Sequence, residues 1–135
     1  MSREKVPQRV KDDIQFAYDR VRSFAEKQRA ALIDFEVELS PGLFAGQKQI
    51  PVATAGCYIP GGRYSHVASA VMSVATAKAA GVPTVIACSP PRGESIAPAV
   101  VYALDVAGAD IIIEMGGVQG IATMAFGQLY LATGE

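Results

Sequence analysis

The chain has 135 residues, half of them apolar and 19% charged, which fits one ordinary globular domain, or one domain with an appendage, and excludes a disordered chain. Its formal net charge of −1 offers no electrostatic reason for a nucleic-acid partner or an anionic membrane surface. No apolar run reaches the roughly 20 residues of a membrane-spanning helix, and the start, MSREKVPQRVKDD, lacks the apolar stretch of a signal peptide.

From Pro7 to about Glu36 the pattern predicts a helix. Val10, Ile14, Ala17, Val21, Phe24, Gln28, Ala31 and Phe35 recur at alternating steps of four and three, forming one stripe interrupted by Gln28. Charges of both signs fill the other faces, which favours a helix docked on a core over a membrane-surface helix. Ser40-Pro41-Gly42 closes this unit, and residues 40–51 read as a loop or linker.

Beyond residue 50 the period changes. Val52 to Ile59 is strand-like and is broken by Pro60-Gly61-Gly62. An alanine-rich helix is expected from Ser65 to Ala80, with Gly81 as its stop. Thr84 to Cys88 is a second strand, Ser95 to Ala107 a second helix, and Asp110 to Glu114 a third strand. Gly116-Gly117 opens a third helix ending near Phe126 or Gly127. Apolar strands alternating with helices predict parallel βαβ units covered on both faces. The fold class expected is therefore α/β: a partial Rossmann-like βαβαβα parallel sheet preceded by a long amphipathic helix. The organisation expected is a helical segment over 1–39, a linker over 40–55 and an incomplete Rossmann-like domain over 56–135.

Charge is distributed unevenly: residues 1–50 carry 17 charged side chains and residues 51–135 carry eight. A stretch so poor in charge covers its own surface badly and is expected to pack on more protein, either further chain or a second subunit. The two cysteines, Cys57 and Cys88, are far apart and outside any C-x-x-C pattern, so reduced buried thiols in a cytoplasmic protein are expected.

In an open parallel sheet, ligands bind beyond the carboxyl ends of the strands. Three loops qualify: Ile59-Pro60-Gly61-Gly62-Arg63, Ser89-Pro90-Pro91-Arg92-Gly93, and Gly116-Gly117-Val118-Gln119-Gly120. Paired glycines before a helix let backbone amides approach an anion, although such glycines serve tight turns equally well. There is no G-x-G-x-x-G after the first strand and no acidic residue closing the second, so any dinucleotide site is non-standard.

Arg63 and Arg92 are the only arginines after residue 50. Either can meet an oxyanion bidentately or stand in solvent as a loop residue. His66, the only histidine, begins a helix and makes no metal site alone. Tyr58 ends a strand, as a stacking platform or a core-edge aromatic, and Gln119 is a ligand-binding amide or a helix cap. The cysteines lack a neighbouring histidine, which speaks against a nucleophile. No H-x-x-x-H, G-x-S-x-G or P-loop pattern occurs.

Taken together and in order, these segments resemble one family. Gly56-Cys57-Tyr58-Ile59-Pro60-Gly61-Gly62 is similar to the Gly-x-Tyr-x-Pro-Gly-Gly signature of histidinol dehydrogenases, and Met72 falls where the family's helix methionine does. Ala77-Lys78-Ala79-Ala80-Gly81-Val82, Cys88-Ser89-Pro90-Pro91, and Gly116-Gly117-Val118-Gln119-Gly120-Ile121-Ala122 with Ala125-Phe126-Gly127 match further segments in order and spacing. The resemblance spans residues 56–127, and the helix at 7–36 fits the region before it.

The resemblance implies an intertwined homodimer that oxidises a primary alcohol to a carboxylate in two NAD-dependent hydride transfers, with one zinc per site. It implies cofactor contacts at Tyr58 and Gln119, beside Gly61 and Gly62. It also implies that the zinc ligands, the acid–base residues and a Gly-Pro-Gly-Asn turn lie beyond residue 135, so that this chain is the front part of the enzyme and carries no metal ligand.

Where biosynthetic members have a Pro-Ser pair, the chain reads Arg63-Tyr64-Ser65-His66-Val67-Ala68-Ser69. This looks more like the sulfopropanediol dehydrogenase branch, which acts on a small hydroxylated sulfonate. Arg63, His66 and Ser69 are the substrate contacts expected on that basis, because a cation beside the site suits an anionic substrate.

Overall fold

The computed structural model describes residues 6–61 and 65–127. Helix α1 (Gln8–Ala31) leads into a hairpin of β1 (Phe35–Ser40) and β2 (Leu43–Gln47). Three βα units follow: β3 (Thr54–Tyr58) with α2 (Val67–Ala79), β4 (Thr84–Ser89) with α3 (Pro98–Ala107), and β5 (Ile111–Glu114) with α4 (Gly117–Phe126). The strands β3, β4 and β5 form one parallel sheet in that spatial order, pairing Thr54 with Thr84, Tyr58 with Cys88 and Ser89 with Glu114. The α/β class and the order of the three βα units agree with the sequence reading.

Side-chain alternation along the strands sorts the sheet into two faces. Ala55, Cys57, Ile59, Val85, Ala87 and Ile112 point toward α2 and α3 and belong to the main core, with Val71, Val74, Val100 and Leu104. Gly56, Tyr58 and Cys88 point the other way, where Gly56 leaves room for Met124 of α4 and Cys88 lies against Gly120. Helix α4 thus covers the second face across β3 and β4, and Val118, Ile121 and Phe126 on it remain exposed. Helix α3 ends on Gly108 at φ 92°, where a left-handed residue lets its N–H and that of Ala109 return to the carbonyl of Leu104.

Two sequence expectations need correction. The first is the buried line of α1. The helix docks on α2 and α3 through Ile14, Tyr18, Val21 and Ala25, while Ala17, Phe24 and Gln28 of the expected stripe are exposed, Phe24 at 66%. Alternating steps of four and three align residues on one face without saying which adjacent line meets the partner helix. Here α2 presents small residues, Ala75 and Ala79 among them, and the line through Ala25 brings Arg29 to donate from Nη1 to the carbonyl of Ala79 at 3.0 Å.

The second correction concerns residues 32–51. The helix stops at Ala31 rather than Glu36, and the expected loop holds a strand. Phe35, Val37 and Leu39 alternate with Glu36 and Glu38, a period of two that favours a strand over a helical turn. The chain reverses at Pro41-Gly42, with Gly42 at φ 78° and its N–H donating to Glu38 Oε1 at 2.8 Å. Asp34 Oδ1 accepts from the Gln49 N–H at 2.7 Å and ties the base of the hairpin.

Candidate functional site

The three loops at the carboxyl ends of the strands meet around Pro90. The Ile59 N–H donates to the Cys88 carbonyl at 2.8 Å and the Met115 N–H to that of Ser89 at 3.1 Å, so each loop leaves the sheet already paired with its neighbour. Both flanking loops then press glycine against the Pro90 ring. A Cβ on Gly116 would stand 2.5 Å from Pro90 Cβ, and one on Gly61 would collide with its Cγ. Gly61, expected as a cofactor contact, therefore also has a packing reason for lacking a side chain. Gly62 and Arg63, expected beside it, lie outside the described residues.

On the α4 face, Tyr58 and Gln119 converge on the start of α4. The Gly117 N–H donates to the Tyr58 hydroxyl oxygen at 3.1 Å. Gly117 has φ +66°, and the Gln119 side chain folds over it, with Oε1 2.8 Å from where a Cβ would be. A single left-handed glycine thus lets strand end, helix start and amide meet. Tyr58 is half-buried and Gln119 exposed, so the ring is held at one end while the amide faces outward. Beneath them Cys88 Sγ donates to the Met115 carbonyl at 2.9 Å, and a Cβ on Gly120 would lie 2.7 Å from that sulfur. Burial pushes the Cys88 thiol up, against the lowering effect of that bond, and pushes up Cys57 against its bond with Ser73. Both are poor nucleophiles at neutral pH.

On the α2/α3 face a separate cleft opens between the starts of α2 and α3. Ser65, His66, Ser89, Pro90 and Arg92 line it, with Ile96 as part of its floor. Two of the expected substrate residues part company here: His66 precedes α2 and borders the cleft, whereas Ser69 lies a turn further along and does not. The Ser69 carbonyl accepts from Ser73 Oγ at 2.7 Å. Sequence reasoning does not single out Ser89, and it gives Arg92 two readings, oxyanion contact or solvated loop residue. A signal for Ser89 is present in the strand register, since Val85, Ala87 and Ser89 share a face and the loop after Ser89 starts toward α3.

Among the described residues no three His, Cys, Asp or Glu side chains gather to hold a metal ion. A groove of about 520 Å³ between the end of α1, residues 49–52 and the end of α2 lies at the opposite end of the strands from these loops.

The chain matches the histidinol dehydrogenase family over residues 1–133. It belongs to that family. It is 61% identical over 124 residues to the sulfopropanediol 3-dehydrogenase of Ruegeria pomeroyi, covering 91% of this chain and 28% of that protein. It is 41% identical over 124 residues to the histidinol dehydrogenase of Methanococcus maripaludis, covering 92% of this chain and 29% of that one. The structure superposes on the crystal structure of histidinol dehydrogenase from Elizabethkingia anophelis with a TM-score of 0.75 at 28% identity, over 90% of this chain and 28% of the other. The chain therefore spans under a third of the length of the curated relatives it matches. Named members of the histidinol dehydrogenase family are dehydrogenases, and the parallel three-stranded sheet with its helices matches their fold.

Proposed function

We propose that this chain is the cofactor-contacting front part of an NAD-dependent, zinc-requiring dehydrogenase that oxidises a primary alcohol to a carboxylate. Its substrate in this reading is a sulfonated diol such as dihydroxypropanesulfonate, in preference to histidinol. The observation that carries the substrate choice is the gap in identity, 61% to a sulfopropanediol dehydrogenase against 41% to a histidinol dehydrogenase over stretches of the same length.

The reaction balances as one alcohol, one water and two NAD⁺ giving one carboxylate, two NADH and three protons. The alcohol carbon gives up a hydride in the first step, and the hydrated aldehyde gives up another in the second. NAD supplies the hydride acceptor. This chain contributes positioning: the Tyr58 ring, anchored through its hydroxyl, is a face on which a planar ring can stack, and the Gln119 amide beside it offers a donor and an acceptor. The described residues do not fit a zinc site, so in this reading the metal ligands come from other parts of the enzyme.

Assembly as a homodimer in the cytoplasm belongs to the same reading. Every residue of the hairpin is exposed, and Phe35 and Val37 lie on one side of β1. A two-stranded hairpin is marginal alone and needs a surface to cover it. No helix among the described residues is long and apolar enough to cross a membrane. The same hairpin favours a second reading, in which this stretch is a non-catalytic nucleotide-binding or dimerisation module.

The deciding experiment assays the full-length protein with NAD against dihydroxypropanesulfonate and histidinol, with and without a chelator. NADH formed at two equivalents per sulfonated diol, abolished by the chelator and restored by zinc, is the expected result. Preference for histidinol overturns the substrate, and no turnover of either alcohol favours the second reading.

A further inference from the structure

The cleft between the starts of α2 and α3 differs in chemistry from the Tyr58–Gln119 site on the other face of the sheet. Ser89 lines it and is only 2% exposed. Arg92 stands at the rim, exposed, with no ion-pair partner among the described residues, and His66 borders the same opening. None of the lining residues is acidic, and neither α2 nor α3 has an acidic residue in its first turn or a side-chain cap on its free N–H groups.

The volume of the cleft is about 10 Å³. That is room for one water-sized atom, too little for a base or a nicotinamide ring. One oxygen of a tetrahedral or planar anion fits beside the Ser89 hydroxyl, with its remaining oxygens left at the rim for the fork of the Arg92 guanidinium.

We infer that this cleft holds an oxyanion group of a ligand, with Arg92 as the residue that recognises its charge and Ser89 as the buried hydrogen-bond donor. The assignment rests on the proposed function only for which molecule carries the anion: the acid group of the substrate or the pyrophosphate of the cofactor. Arg92 acts here as a specificity-determining residue, distinct from Arg63 of the preceding loop.

The test uses the full-length protein and its Arg92→Gln and Arg92→Lys variants, checked for folding by circular dichroism. Ethanesulfonate, titrated calorimetrically without cofactor or turnover, is the probe. Arg92→Gln is expected to weaken its binding by about tenfold or more, the scale of a lost charge-assisted pair, and Arg92→Lys to restore part of it. Steady-state kinetics then separate the sources. A raised KM for dihydroxypropanesulfonate with an unchanged KM for NAD assigns the cleft to the substrate, and the converse assigns it to the cofactor's pyrophosphate. Ethanesulfonate binding that is absent in the unsubstituted protein, or equal in Arg92→Gln, overturns the inference. Because the titration needs no turnover, it decides the cleft even if the proposed dehydrogenase activity fails.

Discussion

The Tyr58 hydroxyl oxygen accepts the first free N–H of α4, that of Gly117, at 3.1 Å. This bond satisfies one of the free N–H groups at the start of α4 and anchors the Tyr58 ring by its hydroxyl.

Tyr58→Phe tests that anchor. The ring stays and one partly exposed hydrogen bond goes, so stability should fall by no more than about 0.5–1.5 kcal/mol. In the full-length protein the KM for NAD should rise several-fold, while the KM for the alcohol changes little. Thermal unfolding and steady-state kinetics read the two effects separately. An unchanged KM for NAD would remove Tyr58 from the cofactor site.

The contact of Gly116 with Pro90 predicts a coupled pair. Gly116→Ala forces a methyl group to 2.5 Å from the proline ring and should destabilise by about 1–3 kcal/mol. Pro90→Gly removes the obstructing Cβ together with the rest of the ring, so the double variant should be more stable than the sum of the two single losses predicts. A double-mutant cycle from denaturant unfolding measures this, and simple additivity would show that the loops do not lock through Pro90.

Asp110 Oδ2 accepts from Lys78 Nζ and from the Val85 N–H, both at 2.6 Å. The Lys78 bond, then the Val85 bond, hold its carboxyl below the usual aspartate range. A carboxyl lowered in the folded state contributes stability that is present above the ordinary aspartate value and lost as pH falls through the lowered one. Asp110→Asn should therefore be less stable at neutral pH and lose less stability on acidification. Thermal midpoints between pH 7 and pH 3 follow this, and parallel curves for both proteins would contradict it.

The hairpin predicts an effect on assembly. Val37 pairs with Ala45 across the strands and shares one side of β1 with Phe35, ahead of the register shift at Leu39. Val37→Glu places a charge in that apolar row, which should shift the full-length protein toward a smaller species in sedimentation velocity. A dimer unaffected by this change and by Leu39→Glu would place the interface elsewhere.

The three βα units were legible from the chain alone because each strand is a short apolar run closed by glycine or proline. The family was legible from the ordered loop segments over residues 56–127. The hairpin was missed because Phe35 continues the helical stripe by coincidence of spacing, while the alternation that overrides it begins at the same residue. Which line of α1 is buried, and which glycines serve packing, depended on partners remote in sequence: Arg29 with Ala79, Gly61 and Gly116 with Pro90. The division of the loops into two sites was likewise a tertiary outcome. Pleating sends Tyr58 and Ser89 to opposite faces of one sheet, and packing then gives one face to α4 and the other to α2 and α3.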